Sequence, residues 1–247
     1  MARRSLISLL FCLLLIPAGS VAWSDDVTVA TLEWEPYVGS VLPGNGYVGR
    51  VVREAFARSG HEVRFLFLPW ERVLDMARHG EVAAYGPEYY DPSLNSRFVL
   101  SDPIPGGSLG FFAPADSAIR FRSLRDLEPY SIAVVRGYLN TPEFDSARYL
   151  HRQFVTSDAL GLHMLVNGRV DLVLADKYVG KRLLRELFPE RRDEVVFLDP
   201  PLAEKSLHLC FPRSRPDHRE LLRAFNAGLR SMVEDHTLDG YRATLGK

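Results

Sequence analysis

Short apolar runs alternate with amphipathic stretches along nearly the whole chain beyond residue 25. The runs at 27–32, 63–68, 82–85, 131–135, 170–175 and 195–198 have the length and content of buried strands. Between them lie segments with helical punctuation. "GRVVREAFARSG" ends in Gly60, and "PWERVLDMARHG" opens with Pro69 and ends in Gly80. "SDALGLHMLVNGR" begins with the cap candidates Ser157 and Asp158. Each such segment follows one strand and precedes another, which predicts an α/β fold with helices covering sheets.

Two stretches break this rhythm: "SDPIPGGSLGFFAPADS" at 101–117 and "LDPPLAEKSLHLCFPRS" at 198–214. Each joins proline-rich punctuation to an extended apolar run, and both read as crossings by which the chain leaves one lobe and returns to it. The tail from residue 218 then reads as helices packed back on the first lobe.

The first residues change the picture of location. Arg3 and Arg4 precede a short apolar run and then small residues, the pattern of a secretory signal cut after Ala22. No stretch reaches the roughly 20 apolar residues of a spanning helix. A soluble, exported protein is therefore expected. Loss of Cys12 with the signal leaves Cys210 as the only thiol, so stability must come from core burial rather than disulfides. Cys210 itself, in the apolar run "LHLCF", is expected to be a buried packing residue. With 47% hydrophobic residues, 25% charged residues and a net charge of −1, the chain carries no electrostatic footprint for nucleic acid.

Catalytic and metal motifs are missing. The seven histidines stand singly, with no paired Cys-x-x-Cys, so neither a metal site nor a cofactor is expected. "GGSLG" at 106–110 matches a hydrolase nucleophile elbow in letters only, because the strand-like "LGFFAP" follows where a helix is needed. Ser108 is read as a turn residue.

The order of the segments resembles the periplasmic solute-binding proteins of the polar amino-acid type, family 3. The resemblance is carried by "EPYVG", "GYVGRVVREAFARSG", "LPWERVLDMARHGEVAAYG", "FVLSDPI", "SIAVVRGY", "LVNGRVDLVLADKYVGKRLL" and "TLDGYRATLG". It implies a two-lobed Venus flytrap, each lobe a central mixed sheet flanked by helices, with two interlobe crossings. The first lobe would comprise 23–108 and 207–247, and the second 109–206. The implied function is capture of a small polar, amine-bearing solute by a monomer that delivers it to an ABC-type inner-membrane permease. A sensing module for a membrane receptor is the alternative. A dehydratase-like enzyme is a weaker one, because the residues after Asp176, Lys177-Tyr178-Val179, lack the acid such enzymes carry.

The resemblance also points to residues. Trp34 and Tyr37, in "EWEPY" after the first strand, are read as cleft walls, against the reading that Pro36 simply stops a strand while the rings pack. Trp70 is either a core ring or a ligand contact. Glu88 and Tyr89 follow the third strand, where a glutamate can hold a cation. Arg136, Tyr138 and Thr141 lie on a turn that opens a helix with Thr141-Pro142, a place for an anion. Asp176 matches the aspartate that takes a ligand ammonium group, or else caps the helix at Lys177. One departure stands out: the family's carboxylate-gripping arginine falls on Leu94, with Arg97 displaced by three residues.

Overall fold

The computed structural model describes residues 26–245, so the expected export signal at 1–22 lies outside the described residues. The strands are β1 (Val27–Thr31), β2 (Val63–Phe67), β3 (Ala84–Tyr89), β4 (Phe98–Leu100), β5 (Ile104–Pro114), β6 (Ser131–Val135), β7 (His151–Val155), β8 (Leu172–Asp176), β9 (Val195–Phe197) and β10 (Ala203–Pro212). The helices are α1 (Gly46–Ala57), α2 (Trp70–His79), α3 (Pro142–Ser146), α4 (Asp158–Val166), α5 (Lys177–Leu187), α6 (His218–Glu234) and α7 (Thr237–Arg242). One curled mixed sheet runs β2-β1-β3-β10-β5-β8-β6-β7, with β4 beside β10 and β9 beside β5. The α/β class and the two-lobed arrangement are those expected from the sequence.

Parallel pairing dominates both ends of the sheet. β1 lies between β2 and β3, and β6 lies between β7 and β8. The inner parallel strands β1, β6 and β8 are covered on both faces, which explains why their sequences are near-continuous apolar runs. In the second lobe successive residues point to opposite sides. Ile132, Val134, Leu172 and Leu174 join the large core that continues into the first lobe. Ala133, Val135, Val173 and Ala175 face a second core with Leu162 and Leu165 of α4.

The two crossings are continuous strands. β10 pairs with β5 antiparallel, Ala203 opposite Leu109 and Leu207 opposite Ile104. Beyond that stretch β5 pairs with β8, and β10 pairs with β3 and β4. Ser108 therefore sits in a strand rather than the expected turn, and its hydroxyl donates to Glu204 Oε1 at 2.7 Å. The third strand runs on through Gly86 and Pro87 to Tyr89, further than the apolar run at 82–85 indicates. β7 was not foreseen because it is a sheet-edge strand with mostly solvent-facing residues and no buried alternation.

Helix punctuation behaves as read. Pro69 sits at the N-cap of α2, and Gly80 takes φ 70° at its C-cap, a left-handed turn that favours glycine. The tail helices pack on α1 and on β10 of the first lobe. Cys210 is fully buried in β10, and burial, followed by the nearby Glu88, pushes its thiol well above the ordinary range. Among the described residues no helix is long and apolar enough to cross a membrane.

The α1–α6 contact rests on a glycine. A Cβ on Gly228 would overlap the backbone carbonyl of Ala55. Gly228→Ala should therefore push the helices apart and lower stability by about 1–3 kcal/mol despite alanine's better helix propensity, as read from the denaturant midpoint. An unchanged or higher midpoint would show that α6 shifts without loss.

Candidate functional site

The C-terminal ends of parallel strands converge on one cleft, the usual ligand position in open α/β sheets. β1 delivers Trp34, β2 delivers Trp70, β6 delivers Tyr138 and β7 delivers Asp158; all four line a cleft of about 530 Å³. The remaining wall is largely apolar, from Leu32, Phe67, Leu68, Pro69, Val179 and Leu183, with Glu33, Glu35 and Glu186 as its other acids. No lysine, arginine or histidine lines it among the described residues. A smaller space of about 20 Å³, close to one water in size, lies behind it among Leu32, Trp34, Trp70, Pro87, Glu88, Tyr89 and Tyr138.

"EWEPY" is a closed turn. Trp34 N–H donates to Val38 O at 2.9 Å, and Tyr37 N–H donates to Trp34 O at 3.0 Å. The turn stacks Trp34 on Tyr37 with ring centroids 4.8 Å apart. Trp34 then meets Tyr89 and Tyr138 edge-on at 5.8 and 6.5 Å. Of the two expected wall residues only Trp34 lines the cleft; Tyr37 is fully buried behind it, because its ring is stacked on Trp34 and its hydroxyl is drawn to Asp176. Trp70 likewise packs edge-on against Tyr138 at 6.0 Å while its indole N–H reaches across the cleft to Gly137 O at 3.2 Å.

Asp176, 2% exposed, is the most heavily bonded side chain of the site. Its Oδ1 accepts the amides of Tyr178 at 2.8 Å and Val179 at 3.3 Å, so it caps α5. Its Oδ2 accepts the hydroxyls of Tyr37 at 3.0 Å and Tyr89 at 3.2 Å. A carboxylate has about four acceptor positions, and protein donors take all of them here. Burial raises its pKa to about 6, held back by Tyr37 first and then by the two amides.

Asp158 is the residue that sequence reading missed as a site, seeing it only as a cap candidate. Ser157 does the capping, accepting Leu160 N–H, and Asp158 occupies the first helical position. It is 5% exposed, and its Oδ2 accepts Tyr138 OH at 3.2 Å. Its Oδ1 has no hydrogen-bond partner, and neither has the indole N–H of Trp34. The indole lies close enough to favour the carboxylate's charged form but does not form a hydrogen bond of normal geometry. Burial, followed in the same direction by the charge of Asp176, pushes Asp158 up to about 7, with the Tyr138 hydroxyl opposing.

Of the other expected residues, Glu88 borders the smaller space, whereas Thr141 and Arg136 stand apart from this centre. Glu88 is buried, accepts Tyr89 N–H at 3.0 Å, and is raised by burial to about 8. Thr141 is committed to capping α3, accepting Phe144 N–H at 3.1 Å. Arg136 is 61% exposed, 3.9 Å from Glu71 and over the Phe154 ring. Leu94 packs against the core, and Arg97 is exposed at the end of a 3-10 turn. Two further groups gave no sequence signal. Lys205, its pKa lowered by burial, stands over the Tyr89 ring and donates to Asn140 O. Arg182 joins Glu35 and Glu186 at the cleft edge.

This architecture has solved counterparts. A histidine kinase sensor domain with similarity to periplasmic binding proteins superposes with a TM-score of 0.79 at 19% identity, covering 90% of this chain and 96% of its own. The fold is that of a periplasmic binding protein. The substrate binding protein of an amino acid ABC transporter matches with a TM-score of 0.74 at 14% identity, over 90% of this chain and 99% of its own. The GluR0 ligand-binding core from Nostoc punctiforme, in complex with L-glutamate, gives 0.74 at 19% identity over 89% and 99%. No family model matches the sequence, and no curated protein matches it. At these identities the likeness is one of fold.

The buried acids fix how stability depends on pH. Asp176, Asp158 and Glu88 have folded pKa values of about 6, 7 and 8, above the roughly 4 of unfolded carboxyls. Between those limits the folded chain binds more protons than the unfolded one, so stability falls as pH rises. The unfolding midpoint of the ligand-free protein should decline from about pH 5 to pH 8, and Asp158→Asn should flatten the decline. A midpoint that climbs over this range would contradict the burial of these groups. Separately, Asp176→Ala leaves two hydroxyls and two amides unpaired and should lower stability by about 2–4 kcal/mol in a denaturant titration, whereas Asp176→Asn should stay near wild type.

Proposed function

We propose that this protein captures a small, amine-bearing polar solute between its two lobes and hands it to an inner-membrane ABC-type permease from the periplasm. The observation that carries this reading is the cleft itself. It lies at the strand ends of both lobes, is walled by Trp34, Trp70 and Tyr138, and is lined by acids with no basic side chain. Such a wall suits the apolar body of a ligand and the acids suit a cationic head. The contacts across the cleft, Tyr37 and Tyr89 with Asp176 and Trp70 with Gly137, belong to a closed arrangement. Hinge closure driven by contacts available only in that arrangement is the mechanism this supports.

A sensing role is the second reading, favoured by the similarity to a histidine kinase sensor domain. The same capture step would then signal to a receptor instead of loading a permease. A permease gene beside this one would support delivery, and a receptor gene without a permease would support sensing.

A thermal-shift screen of the purified protein against amino acids, amines, organic acids and small peptides tests capture directly. A ligand at a hundred times its dissociation constant should add about 2.7 kcal/mol of stability. A broad screen in which no compound shifts the midpoint would remove the basis for solute capture.

A further inference from the structure

Resting on the solute-capture reading, we infer that the cleft selects an organic cation lacking a carboxylate, with Asp158 as its counter-ion and Asp176 serving the protein's own closure. Asp158 presents an unpartnered Oδ1 from a side chain that lines the cleft and is 95% withdrawn from solvent. In the closed arrangement the Trp34 indole N–H stands beside this carboxylate without a hydrogen bond of normal geometry, and a protonated amine supplies a better donor, one that carries charge. Asp176 offers no such vacancy, because two amides and two tyrosine hydroxyls occupy it.

Trp34 supplies the gate. It comes from the first lobe and meets Tyr138 edge-on, while Tyr138 donates to Asp158 from the second. Parting the lobes withdraws the indole and exposes the carboxylate; closing them buries the new ion pair beneath a ring whose face also favours a cation.

The absence of an anion seat limits the ligand further. Arg136 points to Glu71 outside the lining, Lys205 is engaged by the Asn140 carbonyl, and Arg182, also outside the lining, gives Nη2 to Glu35 and Glu186 while its buried Nε has no partner. The start of α4, the place for an anion on free amides, already carries the acidic Asp158 side chain in its first turn. A carboxylate entering the cleft would therefore face acids with no lysine or arginine in the described lining to receive it. The apolar body of the ligand would lie against Trp70, Phe67 and Leu183.

The test compares amines with the amino acids that differ from them by one carboxylate: phenethylamine with phenylalanine, and agmatine with arginine. Binding is measured by titration calorimetry on the wild-type chain and on Asp158→Asn, whose unfolding midpoint is recorded alongside. At least one amine should bind the wild type at least ~10-fold tighter than its amino acid, and Asp158→Asn should weaken that amine by about 10- to 100-fold. An amino acid that binds as well as its amine, or an amine indifferent to Asp158→Asn, overturns the inference. The wild-type comparison stands even if the variant folds poorly. Silence from all four compounds, with other solutes active in the broad screen, overturns this inference alone; silence throughout overturns solute capture with it.

Discussion

The antiparallel pairing of β5 with β10 carries the whole architecture. Each strand belongs to both lobes, joining β8 and β9 at one end of the pair and β3 and β4 at the other. The ladder ties the lobes together with backbone hydrogen bonds, so relative motion must be a bend of two strands rather than sliding of two surfaces. Small residues accompany this close quarter. A Cβ on Gly107 would meet the Tyr37 hydroxyl and the Asp176 carboxylate, and one on Gly106 would meet the Lys205 carbonyl. The glycine-rich segment that mimics a hydrolase elbow in letters thus has a packing reason: it lets the crossing strand pass directly beneath the Tyr37–Asp176 bond.

That bond shows how one carboxylate can serve two levels of structure. Through Oδ1, Asp176 ends β8 and starts α5, a purely local task that any good cap performs. Through Oδ2 it collects Tyr37 from the turn after β1 and Tyr89 from the end of β3, residues far away in sequence. The stacking of Trp34 on Tyr37 transmits the same constraint to the cleft wall. Moving the lobes apart therefore breaks hydrogen bonds and aromatic contacts together, and a ligand must replace their sum if closure is to depend on it.

The fold was readable from the chain because its determinants are local and periodic. Buried parallel strands show as apolar runs, and Gly60, Gly80 and Pro69 mark helix ends by conformational necessity. β7 escaped because an edge strand exposes most of its side chains, and Asp158 escaped because an aspartate at a helix start is ordinarily unremarkable there. Only its distance from partners, a tertiary property, distinguishes it. Trp34, Tyr37, Trp70, Glu88, Tyr89, Tyr138 and Asp176 do come together around the two cavities and the Asp176 bonds. Arg136 and Thr141 do not, since a residue near a strand end can turn outward or be consumed by a cap, and sequence spacing is blind to which occurs.

Charge explains why the site is built from acids that burial holds near neutrality. Burial strips hydration from Glu88, Asp158 and Asp176 and pushes each of them upward, with the charge of Asp176 adding to the effect on Asp158 and that of Asp91 to the effect on Glu88. The chain meets this by surrounding them with tyrosine hydroxyls and backbone amides rather than with guanidinium groups. Hydroxyls stabilise a carboxylate without cancelling its charge, and they leave the cleft's net preference negative. A permanent arginine among these acids would satisfy them and, at the same stroke, remove any reason for a cationic solute to stay. The unfilled position on Asp158 is then the natural consequence of a wall whose charge is completed by what it binds, and the stability withheld from the empty protein becomes available on binding.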